Sequence, residues 1–137
     1  MNTVVLFLLE AGWSPCEAFF VFKKISEELL PCDFYASMDS TMALVRLFFE
    51  VLQISHPRAV SKMKQIIRHM EGEDRFIITV SFVFQWFVCL FTNVNLPRSA
   101  RLAIFDRFLL EGMPAMFKGA LAFFDVLQEP IQKVRGI

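Results

Sequence analysis

Ser14-Pro15-Cys16-Glu17-Ala18-Phe19-Phe20, running on to Leu29-Leu30-Pro31, is the stretch that decides the fold class. Serine at a helix N-cap, proline at the first helical position and glutamate at the third form a capping box. Behind it Ala18, Phe19, Phe22, Ile25 and Leu29 recur at helical spacing. Lys23, Lys24, Glu27 and Glu28 fill the outer side, with lysine and glutamate four apart. Pro31 stops the helix, because its ring cannot continue the hydrogen-bond ladder.

Working outward, the same reading marks helices on both sides. An apolar helix from about Asn2 to Glu10 precedes this one and ends near Gly12. It is apolar nearly all round, as a buried helix is. After a connection at Cys32-Asp33-Phe34-Tyr35, a third helix spans about Ser40 to Gln53, with Leu44, Leu47, Phe48, Val51 and Leu52 inward. Pro57 opens a fourth. Val60, Met63, Ile66, Ile67 and Met70 form its apolar side, Arg58, Lys62, Lys64 and Arg68 its wet side, and Gly72 its end.

Beyond the polar break Glu73-Asp74-Arg75, the β-branched run Phe76-Ile77-Ile78-Thr79-Val80 reads as an extended lead-in to a buried helix, about Phe82 to Phe91. Pro97 then starts an amphipathic helix, about Arg98 to Glu111, with Leu102, Ile104, Phe105, Phe108 and Leu109 inward. Gly112 stops it. Pro114 opens a last helix through Phe117, Ala120, Leu121, Phe124 and Leu127, and Glu129 to Ile137 reads as a fraying tail. No internal repeat or linker interrupts the 137 residues, enough for about one domain.

Several function classes are excluded by what is missing. The formal net charge is zero, so no general attraction to nucleic acid follows. The basic side of the fourth helix carries no interleaved aromatics and reads as a solvated face. His56 and His69 lack metal-ligand spacing and read as solvent-facing or helix-end residues. Glu27, Glu28 and the Glu71–Asp74 turn read as solvated carboxylates. Cys16, Cys32 and Cys89 are odd in number and far apart, which predicts reduced, buried thiols. No nucleophile elbow or phosphate loop occurs. Thr3–Leu9 is apolar, but no cation precedes it and Glu10 follows, so a signal peptide is not expected. Phe76–Phe91 holds Gln85 mid-way and falls short of the about 20 apolar residues a membrane span needs. With 17 phenylalanines, the chain is expected to expose surplus apolar surface.

Four stretches, in order, resemble the TBC domain of Rab GTPase-activating proteins. Met1-Asn2 and the helix behind it resemble the tail of the family's YxQGMN motif. Glu17-Ala18-Phe19-Phe20, with Leu29-Leu30-Pro31 and Phe34-Tyr35, resembles "EAFW…LLP.YY". Gln85-Trp86-Phe87-Val88-Cys89-Leu90-Phe91, followed by Leu96-Pro97, resembles "WF..LF…LP". Ala103-Ile104-Phe105-Asp106-Arg107-Phe108-Leu109-Leu110-Glu111-Gly112, then Phe117-Lys118 and Ala120-Leu121-Ala122, resembles "R.WD.FL.EG…LF..ALA". One departure is Phe105 where the family has tryptophan. Trp86 and Asp106 match as scaffold positions, a packed aromatic and a polar anchor.

The resemblance implies an all-α, orthogonal multi-helix fold, the C-terminal part of a TBC-like domain over residues 1–128, with a tail over 129–137. It implies a Rab-type small GTPase as partner and a cytoplasmic place of action at endomembrane surfaces. It allows peripheral membrane association through that GTPase, and self-association through exposed apolar surface. The family's arginine finger (IxxDxxR) and glutamine finger (YxQ) have no match in the sequence. The expectation is therefore a GTPase regulator without catalytic residues of its own in this chain. No catalytic, cofactor-binding or metal residue is assigned, and Arg98, Arg101 and Arg107 are read as scaffold arginines. The alternatives are a non-catalytic helical interaction module and, further off, a small membrane-associated helical protein.

Overall fold

The computed structural model describes residues 2–68 and 74–133, with side chains over 3–65 and 81–133. Within these residues the chain forms helices α1 (Asn2–Glu10), α2 (Pro15–Lys24), α3 (Met38–Ser55), α4 (Pro57–Arg68), α5 (Asp74–Val88), α6 (Arg98–Glu111) and α7 (Met113–Lys133). No strand is present among the described residues. The expected stop at Gly72, together with His69, Met70, Glu71 and residues 134–137, lies outside the described residues, as do the side chains of Ile66, Ile67 and Arg68.

The boundaries follow local chemistry. At α2 the capping box forms as expected. The Ser14 amide donates to Glu17 Oε2 at 2.9 Å, and the Glu17 amide donates back to Ser14 Oγ at 3.4 Å. The helix widens into a π-helical turn, Ile25–Leu29, closed by the Leu30 amide on the Ile25 carbonyl at 3.0 Å. Leu30 is extended (φ −94°, ψ 151°), the conformation a residue before proline prefers. Helix α1 ends in a Schellman turn. Gly12 sits at φ 99°, its amide on Leu9 O and the Trp13 amide on Leu8 O.

Two expectations about α5 are corrected. Phe76–Val80 is not an extended lead-in, because the helix already runs from Asp74. β-Branched residues lower helix propensity only slightly, too little to exclude a helix. The helix also stops at Val88 rather than Phe91. Leu90 and Phe91 both adopt left-handed backbone (φ 49° and 58°). The Phe91 amide reaches Trp86 O and the Leu90 amide Phe87 O, the same bond pattern that ends α1, here without glycine. Left-handed backbone costs about 1–2 kcal/mol per residue. Complete burial of both side chains offsets it. At the other end of the chain, α7 continues through Pro130 to Lys133, beyond the expected fraying point.

The core is built from α3 (Val45, Phe48, Leu52), α5 (Val83, Trp86, Phe87) and α7 (Met116, Ala120, Phe124). It extends over α1 (Val4, Phe7, Leu8) and α6 (Phe105, Phe108). Phe48 is fully buried and meets Phe87, Phe117 and Phe124 at centroid distances of 5.7, 5.9 and 5.9 Å. Gly119 brings α7 close to α6: a Cβ there would lie 3.2 Å from Ile104 Cγ2. Five residues turn outward against expectation: Leu47, Phe19, Phe82 and, on α1, Leu6 and Leu9. Val45 rather than Leu47 completes the buried stripe of α3.

Candidate functional site

Each of the three arginines of α6 is committed to the scaffold. Arg98 Nη2 donates to the Glu10 carbonyl at 2.6 Å, at the end of α1, where free carbonyls and the helix dipole favour a cation. Arg101 Nη1 donates to Thr92 O at 2.8 Å, and its guanidinium carbon lies 5.7 Å from the Phe7 ring centroid. Arg101 Nε is buried without a partner. Arg107 Nη1 meets Glu111 Oε1 at 2.8 Å, and Lys118 Nζ meets Glu111 Oε2 at 2.6 Å. Lys118, then Arg107, hold the Glu111 carboxyl below its ordinary range. These groups clamp α1, the α5–α6 connection and α7 onto α6.

Trp86 is the packed aromatic the sequence implied, with Phe91, Phe123 and Phe124 around it at 5.6, 5.0 and 5.8 Å. Asp106, the expected polar anchor, is exposed and has no hydrogen bond or ion pair among the described residues. Tyr35 fixes the connection after the π turn, its hydroxyl donating to Val88 O at 3.2 Å. Burial, and secondarily Cys89, pushes that phenol far up.

One polar constellation was not foreseen. His56, expected at the solvent or a helix end, does close α3 but is buried (8% exposed). Its Nε2 lies 2.7 Å from Asp125 Oδ1 on α7, and its Nδ1 lies 2.8 Å from Ser55 Oγ. The residues are 69 positions apart, and no spacing rule pairs them. The chain places Ser, His and Asp in contact, but Ser55 Oγ donates to Val51 O at 3.0 Å, as a helix-end serine does. The group locks the α3–α4 joint to α7.

The thiols differ from expectation: Cys16 and Cys32 are exposed and Cys89 half-buried, all free. Cys16 points outward because Ala18 and Ile25 take the inner face of that helix. Glu27 and Glu28 are exposed as expected, and Lys24 pairs with Glu28 at 3.5 Å. Among the described residues no three metal-ligating side chains cluster, and no helix is long and apolar enough to cross a membrane. Surplus apolar surface is present as expected: on α1, α2 and the turn between them Leu6, Leu9, Trp13, Phe19 and Phe20 are exposed, the two phenylalanine rings in contact at 5.6 Å, and Met38, Ile54, Leu110 and Val126 are exposed elsewhere.

Comparison with known proteins agrees with the helix order. A family model described as Rab-GTPase-TBC domain matches residues 1–132. The chain is similar to TBC1 domain family member 2A of Rattus norvegicus, 29% identical over 136 residues, covering 98% of this chain and 13% of that protein. It is similar to TBC1 domain family member 10B of Homo sapiens, 26% identical over 120 residues, covering 88% and 14%. Carabin of Mus musculus is 30% identical over 107 residues, covering 78% of this chain and 22% of that protein. The chain thus spans less than a quarter of the length of these relatives. No solved structure matches it.

Proposed function

The chain belongs to the Rab-GTPase-TBC domain family, and from that premise we propose that it supplies helical scaffold of such a domain, engages a Rab-type small GTPase, and does not itself accelerate GTP hydrolysis. One observation carries the last point. Arg98, Arg101 and Arg107 are tied respectively to a helix-end carbonyl, to a loop carbonyl beside an aromatic ring, and to Glu111. Acceleration in trans needs a guanidinium on the transferring phosphoryl group, which contributes about 10³–10⁵ in rate, and a residue that orients water. The sequence contains neither YxQ nor IxxDxxR. Its place of action in this reading is the cytoplasmic face of endomembranes, reached through the GTPase. The test is single-turnover phosphate release from a panel of GTP-loaded Rab proteins.

A second reading, a non-catalytic interaction module, draws on Leu6, Leu9, Trp13, Phe19 and Phe20. Apolar area exposed to this extent favours association at about 25 cal/mol per Å² covered. The isolated chain is then expected to bind a hydrophobic dye and to self-associate in light scattering. A monodisperse chain that binds no dye contradicts this reading.

A further inference from the structure

We propose that the outer face of α4, with the α3–α4 joint beside it, is a docking surface for anionic lipid headgroups, used by this chain directly rather than through a GTPase. Helix α4 contains four lysines and arginines and no acidic residue. The chain as a whole is neutral, so its remaining residues carry the balancing negative charge and this helix is where positive charge is concentrated. At 3.6 residues per turn, Arg58, Lys62 and Lys64 fall within an arc of about 160°. Arg58 and Lys64 are exposed and Lys62 is half-buried, while Ala59 and Val60 turn into the protein. Among the described residues Lys64 Nζ touches only the neutral Gln53 Oε1 at 3.1 Å, and neither Arg58 nor Lys62 pairs with a carboxylate. Of the acids on the adjoining helices, Asp125 is engaged by His56, and Glu50 makes no ion pair with these cations among the described residues.

The helices beside this face, α3 and α7, expose branched aliphatic side chains. Ile54 is 84% exposed and adjoins Gln53, which Lys64 contacts; Val126 is 71% exposed and adjoins Asp125, which His56 contacts. A basic helix face with exposed aliphatics on the helices beside it matches a bilayer interface, where headgroup charge and acyl boundary lie together. Nucleic acid fits less well. The arc offers no aromatic ring for base stacking, and three or four cations are fewer than duplex binding recruits.

The test is co-sedimentation of the 137-residue chain with phosphatidylcholine vesicles, with and without phosphatidylserine. Binding is expected only with phosphatidylserine and is expected to disappear at about 1 M salt, where the screening length is about 3 Å. Each of Arg58→Gln, Lys62→Gln and Lys64→Gln should weaken it about fivefold, the equivalent of about 1 kcal/mol per cation at an anionic surface. Ile54→Ser keeps the charge and should weaken binding severalfold; thermal melts of all four variants check that they fold. Equal binding to neutral vesicles, glutamine variants that bind as well as wild type, or capture of a single-stranded oligonucleotide but not of phosphatidylserine vesicles would each overturn the proposal.

Discussion

At the level of single residues, two polar contacts do different work. The Ser14–Glu17 box starts α2 and is exposed. The Ser14 hydroxyl, then the Ser14 amide, hold the Glu17 carboxyl below its ordinary value of 4.5. A depressed carboxyl contributes stability that is present above the unfolded value and lost as pH falls through the folded one. The stability gap between the wild-type chain and Glu17→Gln should therefore be constant near neutrality and shrink below about pH 4.5. Thermal melts across that range check it. The His56–Asp125 contact instead crosses the molecule. His56→Ala removes a buried ring together with its hydrogen bonds to Ser55 and Asp125. It should cost about 1–3 kcal/mol in urea unfolding, and a change of only a few tenths would show that the contact holds nothing. The box was legible because all its parts lie within four residues. The histidine contact was not, because helical spacing says nothing about a partner on α7.

Helix ends show the same division. Glycine signals at Gly12 and Gly112 mark the ends of α1 and α6 correctly. Gly112 sits at φ 69°, ψ −147°, a region open almost only to glycine. A Cβ there would meet nothing closer than Leu29 O at 3.8 Å, so its penalty is conformational rather than steric. Gly112→Ala is expected to destabilise by about 1–3 kcal/mol, read as a lower midpoint in chemical denaturation. Where the stop lacks glycine, sequence reading overran. Leu90 and Phe91 look like two more residues of an apolar helix, yet they turn left-handed because the core takes both side chains there. The start of α5 failed for the opposite reason. Phe76–Val80 has strand-like composition, yet the chain there is helical, because β propensity is too context-dependent to decide the outcome from a local window.

Over the whole molecule, the family was legible from four ordered segments, and the family model over residues 1–132 agrees. The core was legible in outline, since α3, α5 and α7 supply the expected aromatics around Phe48. The outward faces were less so. Phe19 and Leu47 carry the same hydrophobic signal as Phe22 and Phe48, and only the assembled fold separates those that are covered from those that are not. The candidate site was legible mainly by subtraction: the sequence marked three arginines and no finger motif, and the geometry then gave each arginine a structural task.

The central claim is that this chain is scaffold without fingers, and GTP hydrolysis measures it most directly. GTP-loaded Rab proteins mixed with a large excess of the chain should release phosphate at their intrinsic rates, with or without detectable binding. Acceleration approaching the about 10³-fold that a finger in trans provides would contradict the account and make Arg98, Arg101 and Arg107 candidate catalytic groups.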